Sequence, residues 1–302
     1  MKAIDLYSGI GGWALGLRIA GVDVVASYEW WESAAKTEEQ NLGKKVNQVD
    51  IRELELSTLP KDIDVVVGSP PCTQFSYSNR GGSGDVADGL KDIAKFLEVI
   101  DYLKPKFWAM ENVPRVAKIL QNELTDEGAL ARFIHLRPDM HIEIFDMSEF
   151  GLPQRRKRCI AGHFPINLLN SYKELCGKKT LGEVISGLEN DEVTDVNYCS
   201  SIKRKDVFDH IKEQFFDFEE ERINRESKTH HPVYNDMAFP DPWDKSVRTI
   251  TATCTRVSRE SIVIEDVAQP DCFRRPTVRE RSLLQGFPVT YQFFGKSYSE
   301  KL

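Results

Sequence analysis

The run Ile63-Asp64-Val65-Val66-Val67-Gly68, ending at Ser69-Pro70-Pro71, decides how the fold is read. It is short, apolar, rich in β-branched residues and closed by chain breakers. That is the pattern of a strand covered on both faces. Upstream, Lys2-Ala3-Ile4-Asp5-Leu6-Tyr7 predicts a strand, Trp13 to Ala20 a helix, Val22 to Tyr28 a strand and Glu32 to Leu42 a helix. Downstream, Ala87 to Leu103 predicts a helix and Lys106-Phe107-Trp108-Ala109-Met110 a strand. Strands that alternate with helices build βαβ units. The expected class is therefore α/β: a Rossmann-like, doubly wound, mostly parallel sheet. Ligands of such sheets bind beyond the carboxyl ends of the strands.

This regularity holds over residues 1–165. From 166 to 270 charge clusters, short apolar runs and the His-rich stretch Thr229-His230-His231-Pro232 replace it, which predicts a smaller, irregular domain. Periodicity then returns. Thr277 to Leu284 fits a capped helix, closed by Gln285-Gly286-Phe287-Pro288. The expected division is 1–165, 166–270 and 271–302.

The 302 residues are 41% hydrophobic and 29% charged, enough for a substantial core without staples. There is no apolar run of about eighteen residues, so no membrane-spanning helix is expected. The N-terminal stretch has no signal-peptide pattern, which makes a cytoplasmic location the default expectation. None of the six cysteines (72, 159, 176, 199, 254 and 272) forms a C-x-x-C pair, and no metal site is expected. Net charge is −7, which by itself speaks against a nucleic-acid partner. The positive charge is nonetheless clustered, in Gln154-Arg155-Arg156-Lys157-Arg158, in Lys203-Arg204-Lys205 and in Arg274, Arg275, Arg279 and Arg281. Each cluster alone reads as a solvated face; three of them beside a catalytic motif weaken that reading.

Five stretches carry chemistry. In Asp5-Leu6-Tyr7-Ser8-Gly9-Ile10-Gly11-Gly12 a strand enters a glycine-rich turn and then a helix, whose free N–H groups suit a negative group. Position 14 is alanine, so the third glycine of a dinucleotide fingerprint is missing and a nicotinamide-dependent enzyme is disfavoured. Tyr28-Glu29-Trp30 ends the next strand. Glu29 is placed for ribose hydroxyls and Trp30 for the face of an adenine, although a surface Glu beside a core Trp fits equally well. Asp50, followed by Ile51, ends the next strand-like segment. In Gly68-Ser69-Pro70-Pro71-Cys72-Thr73-Gln74-Phe75-Ser76 two prolines stiffen the approach to the cysteine. The ordinary fate of a lone cysteine is burial, but this one precedes a polar loop with Gly81-Gly82-Ser83-Gly84, which is expected to move. Glu111-Asn112-Val113 brings a carboxyl to the end of the fifth strand, and Arg156 and Arg158 supply guanidinium groups for a phosphate or a base carbonyl. Thr249, Thr251, Thr253, Thr255 and Arg256 alternate, as for DNA contacts or for a plain strand.

Pro-Cys, Glu-Asn-Val, Gln-x-Arg-x-Arg and Leu-Gln-Gly-Phe-Pro, in this order behind a D-L-x-x-G-x-G-G start, resemble the cytosine-C5 DNA methyltransferases. The likeness spans residues 1–165 and 273–288. It implies transfer of a methyl group from S-adenosyl-L-methionine to C5 of a cytosine flipped from duplex DNA. Cys72 is then the nucleophile, Glu111 with one or both of Arg156 and Arg158 holds the base, and the loop 73–90 closes over DNA. Tyr7, Gly9, Gly11, Gly12, Glu29, Trp30, Asp50, Ile51 and Pro70 line the cofactor site. Residues 166–270 take the place of the target recognition domain, and 271–302 return to pack on the catalytic domain. The family's closing Gly-Asn-Ala-Val-type segment is expected where the sequence stops at Tyr298-Ser299-Glu300-Lys301-Leu302. The expectation is that a second chain or a missing C-terminal segment completes the fold, and that this chain alone binds its cofactor weakly. A bacterial or phage-type, DNA-associated protein is implied, with duplex DNA as partner and no membrane. The alternatives are a tRNA cytosine-C5 methyltransferase and a non-catalytic DNA-binding partner.

Overall fold

The computed structural model describes residues 1–75, 84–229, 237–251 and 255–295. The chain divides into two compact units, Met1–Phe145 with Lys157–Ser171, and Asp146–Arg156 with Tyr172–Leu302.

In the first unit β1 (Lys2–Leu6), α1 (Gly12–Ile19), β2 (Asp23–Glu29), α2 (Glu32–Leu42), β3 (Asn47–Gln48), β4 (Val65–Gly68), α3 (Val86–Leu103), β5 (Phe107–Asn112), α4 (Arg115–Glu123) and β6 (His141–Asp146) follow one another. After the two-residue β7 (Gln154–Arg155), which belongs to the second unit, β8 (Lys157–His163) completes the sheet. Its seven strands run in the order β3-β2-β1-β4-β5-β8-β6. The pairs from β3 to β5 are parallel, whereas β8 runs antiparallel to β5. The α/β class with a doubly wound, mostly parallel sheet is the observed one.

Alternation explains why the strands are apolar throughout. Ile4, Leu6, Val66, Trp108 and Met110 face one layer with Ile93, Phe96 and Leu97 of α3. Ala3, Val65, Val67 and Ala109 face the other, with Ala14 of α1. Both faces are covered, and each fully buried Val, Leu or Ile contributes about 1.5–3 kcal/mol. Gly68 is dictated by space, since a Cβ there would lie 2.6 Å from the Leu6 carbonyl oxygen and 2.9 Å from the Phe96 ring.

β1 has β2 on one side and β4 on the other, so chain direction across the sheet reverses between β1 and β4. At such a reversal the loops leave the carboxyl edge in opposite directions and open a crevice. The turn after β1, the ends of β2 and β5, and the Pro-Pro-Cys stretch after β4 share that edge.

The second unit takes in the last turn of α5 (Ile166–Leu175), then α6 (Leu181–Ile185), β9 (Glu192–Asp195), β10 (Ser200–Lys203), α7 (Phe218–Thr229), β11 (Val247–Arg248), β12 (Ile264–Asp266), β13 (Gln269–Arg274) and α8 (Val278–Leu284). Its sheets are small: β9 with β10, β12 with β13, and β11 with β7. Leu181, Val184, Ile185, Val193, Val247, Ile264, Leu283 and Leu284 form its core. Thr277 caps α8 in a reciprocal box with Glu280, as the sequence pattern anticipates. Gln154, fully buried, donates to the Leu284 carbonyl at 3.2 Å and accepts from the Ile250 N–H at 2.9 Å.

The third positive cluster is not a solvated face. Arg274, Arg275, Arg279 and Arg281 are 3%, 9%, 0% and 5% exposed, so they form no phosphate-facing surface. Arg274 is clamped between Asp266 and Glu280, with contacts of 2.8 and 2.7 Å, and Arg275 pairs with Glu213. Arg279 donates to the carbonyls of Phe208 and Pro288, and burial lowers its pKa to about 10. Buried cations require such partners. The other two islands keep exposed members, Arg155 and Lys157 in one and Lys203 and Lys205 in the other. In the alternating Thr stretch only Val247–Arg248 is strand; Thr249 and Thr251 lie in irregular chain, and residues 252–254 fall outside the described residues. Also outside them are Ser76 to Ser83, within the loop expected to move, and His230 to Asp236 of the His-rich stretch.

Candidate active site

The turn after β1 is held in a left-handed conformation. Tyr7 and Gly9 have φ of 54° and 58°, and Gly11, the residue before α1, has φ of 84°. Without a Cβ, glycine adopts these angles at little cost. The turn is pinned from two sides. The Gly9 N–H donates to Glu29 Oε2 at 2.8 Å, while Glu29 Oε1 accepts from the Trp31 N–H at 2.8 Å. Behind it the Ser8 hydroxyl donates to Glu38 Oε2 at 2.5 Å. Asp5 Oδ2 accepts from the Ala14 N–H at 3.2 Å and so ties β1 to α1. Burial, then the neighbouring Glu38, pushes the Asp5 carboxyl well above the usual carboxylate range. Gly12 is exposed at the first position of α1.

A cleft of about 260 Å³ opens in front of this turn. Tyr7, Glu29, Trp30, Asp50 and Ile51 line it together with Arg52, Pro71, Thr73, Gln74, Asp88 and Asp92. Trp30 is 72% exposed, so its indole is free to cover a flat ligand. Asp50 caps a short 3-10 turn, accepting from the Arg52 N–H at 2.9 Å. Burial, with the Asp92 carboxylate beside it, raises the Tyr7 phenol pKa and keeps it a donor; it reaches Asp92 Oδ1 at 3.3 Å. Pro71 rather than Pro70 reaches the cleft.

Pro70 serves differently. Its carbonyl accepts from Asn112 Nδ2 at 2.9 Å, and Asn112 is 1% exposed. The end of β5 therefore fixes the backbone two residues before Cys72. Cys72 itself is exposed, and its carbonyl accepts from the Phe75 N–H at 2.9 Å in a tight turn. Glu111 and Asn112 lie inside β5, one residue apart in the strand. Arg158 of the antiparallel β8 reaches Glu111, with Nε 2.7 Å from Oε1. This pair is partly buried, with 14% of the arginine and 25% of the glutamate side chain exposed. The two arginines separate: Arg156 donates to the Ile250 carbonyl at 3.4 Å within the second unit. Next to Arg158, Cys159 is buried, and burial, with Glu111 adding to it, lifts its thiol to about 12. Cys159 is therefore inert near neutral pH, and among the two cysteines of the first unit Cys72 is the accessible one.

A family model described as C-5 cytosine-specific DNA methylase matches residues 1–301. The chain belongs to the C-5 cytosine-specific DNA methylase family. By that membership it is a DNA (cytosine-5-)-methyltransferase. The type II methyltransferase M.HindV of Haemophilus influenzae is 33% identical to this methylase over 165 residues, covering 52% of the chain and 51% of that protein. The type II methyltransferase M.MthTI of Methanothermobacter thermautotrophicus is 27% identical over 315 positions, covering 99% of the chain and 90% of that protein. The solved structure of the Entamoeba histolytica methyltransferase EhMeth superposes with a TM-score of 0.65 at 15% identity, covering all of this chain and 91% of that one; it shares the fold. No helix among the described residues is long and apolar enough to cross a membrane.

Several side chains of this methylase's site carry little or no signal in the sequence. Asn112 was visible only as the middle of Glu-Asn-Val, and its bond to Pro70 spans 42 residues. Glu38, Arg52, Asp88 and Asp92 gave no local signal. Arg52 follows Asp50-Ile51 directly, but its carboxylate partners lie 36 and 40 residues away.

Proposed function

We propose that this methylase transfers the methyl group of S-adenosyl-L-methionine to C5 of a cytosine in duplex DNA, with Cys72 as covalent nucleophile. The observation that carries the reading is the convergence, on one sheet edge, of the cleft, the exposed Cys72 and the Glu111–Arg158 pair.

The cleft suits the cofactor chemically. Glu29 and Asp50 each retain acceptor lone pairs for ribose hydroxyls and an adenine amine, Trp30 offers an uncommitted aromatic face, and Glu29, Asp50, Asp88 and Asp92 outnumber Arg52, which favours a cationic ligand. Gly9 and Gly11 let the turn come close to a ligand without a Cβ in the way, and Gly12 leads into α1. When bound, S-adenosyl-L-methionine supplies an electrophilic methyl group.

The chain does the rest. Cytosine C5 is a poor nucleophile. The Cys72 thiolate adds at C6, and the electron pair moves so that C5 gains enamine character. Glu111 meets ring N3 and shares its proton there, which offsets the negative charge built up by addition. Arg158 holds Glu111 in place and presents its remaining N–H groups to the base carbonyl. After methylation C5 loses its proton and the Cys72–C6 bond breaks, restoring aromaticity. The base has to leave the duplex first, at a cost of a few kcal/mol. Residues 166–270 serve as the target recognition segment and 271–302 as the return segment.

Tritium transfer from labelled S-adenosyl-L-methionine tests the reading. Duplex DNA is expected to be labelled, with 5-methylcytosine found on bisulfite sequencing. Label in tRNA and none in duplex DNA refutes it.

A further inference from the structure

We propose that Arg52 is a positioning residue for the Cys72 turn, acting through the first turns of α3. The proposal rests on the reading of Cys72 as nucleophile and extends it to residues away from the sulfur. Arg52 leaves the cleft wall directly after Asp50 and Ile51, and two carboxylates of α3 hold its guanidinium. Nε lies 2.9 Å from Asp92 Oδ1, Nη2 lies 2.6 Å from Asp92 Oδ2, and Nη1 lies 3.1 Å from Asp88 Oδ1. Asp88 and Asp92 are four residues apart and share one helix face. A planar fork on paired carboxylates fixes direction as well as distance, which an ammonium cannot do. The Tyr7 hydroxyl donates to the same Asp92, itself only 5% exposed. Two walls of the cleft, the turn after β1 and the segment after β3, are thus fastened to one carboxylate of α3.

α3 in turn fixes the cysteine turn. Asp85, which caps α3, donates its N–H to Gln74 Oε1 at 2.9 Å. Phe75 is fully buried against Gly89, so closely that a Cβ at 89 would fall 2.6 Å from Phe75 Cζ. The Phe75 N–H then bonds to the Cys72 carbonyl at 2.9 Å. A continuous route runs from guanidinium to helix, from helix to Phe75, and from Phe75 to Cys72. Exposed ion pairs contribute little to stability. Here one partner is buried and the fork is directional, so what arginine supplies is the placement of α3 relative to the cleft.

The test follows the rate at which Cys72 bonds to a duplex containing 5-fluorocytosine, at saturating S-adenosyl-L-methionine. Cofactor affinity is measured alongside by calorimetry, and folding by thermal melting. Arg52→Met is expected to slow bonding by about 10- to 100-fold, and Arg52→Lys to recover part of the rate. Gly89→Ala, outside the cleft, is expected to slow bonding while the cofactor Kd stays within about twofold. Wild-type rates in Arg52→Met and Gly89→Ala overturn the proposal. So does an Arg52→Met variant that loses only affinity and bonds at the wild-type rate once saturated. If Arg52→Met does not fold, Asp88→Asn, which removes one of the two carboxylates, takes its place with the same outcomes. Failure of the wild-type protein to bond at all counts against the Cys72 reading itself.

Discussion

Arg158 Nε lies 2.7 Å from Glu111 Oε1, on adjacent antiparallel strands. The pairing sets the carboxylate's direction as well as its charge, because a guanidinium binds along defined N–H vectors. Removing the arginine leaves the Glu111 carboxylate free to rotate out of that direction.

Arg158→Ala is therefore expected to lower single-turnover methylation by about 10- to 100-fold, with Arg158→Lys recovering only part, since the charge returns without the fork. Rapid-quench kinetics on duplex DNA reads this directly. A rate equal to wild type would remove Arg158 from the site. Arg156, held by the Ile250 carbonyl, is expected to matter less when changed to Ala.

Asn112 joins the end of β5 to the Pro70 carbonyl in a buried setting. Losing one partner of a buried hydrogen bond costs about 1–3 kcal/mol. Asn112→Ala should lower urea stability by that amount and also depress turnover, because the Cys72 approach is no longer anchored. Depressed stability with wild-type turnover would show that the bond is not needed to place Cys72.

Much of the site's scaffold could be read from sequence, and the reason is local. β4 is a run of β-branched residues, and α2 spans the anticipated Glu32–Leu42, with alanines 34 and 35 on its buried face. β5 extends two residues beyond its apolar core, so Glu111 and Asn112 sit within the strand instead of after it. β8 shows no strand pattern in the sequence, because Lys157 and Arg158 mask its start; its pairing with β5 makes it one. The burial of Arg274 and Arg275 was illegible for a related reason. Their partners Asp266, Glu280 and Glu213 are recognisable only after folding has brought β13, α8 and residue 213 together.

Trp30, 72% exposed beside the cleft, can be removed at little cost to folding. Trp30→Ala is expected to raise the Kd for S-adenosyl-L-methionine by about tenfold, for lost stacking area, and to leave kcat at saturation near wild type. Calorimetry and saturation kinetics would show the split; an unchanged Kd would place the adenine elsewhere.

Acid should destabilise the second unit. Burial pushes Asp266 upward, but hydrogen bonds from Arg274 and Lys212 outweigh it and hold the carboxyl at about 2. Glu189 is likewise held at about 2, against burial, by Lys212 and His210. Unfolded carboxyls titrate near roughly 4. Their stabilisation is therefore complete above that value and lost as pH falls from about 4 to about 2. Arg274→Met should weaken this pH dependence and cost about 3–5 kcal/mol at neutral pH, since it strands Asp266 and Glu280 without their buried cation. Urea melts across pH, followed by hydrogen exchange in residues 172–295, would reveal a flat profile if the network carried no stability.

The sulfur of residue 72 is expected to form a transient bond to a pyrimidine carbon. Mass spectrometry of the protein incubated with S-adenosyl-L-methionine and a 5-fluorocytosine duplex tests it, because fluorine at C5 blocks the proton loss that would free the enzyme. A denaturation-resistant complex is expected, its modified peptide containing Cys72 and no other cysteine, and absent in Cys72→Ala. A complex formed equally by Cys72→Ala, or methylation of ordinary duplex DNA by that variant, would contradict the account.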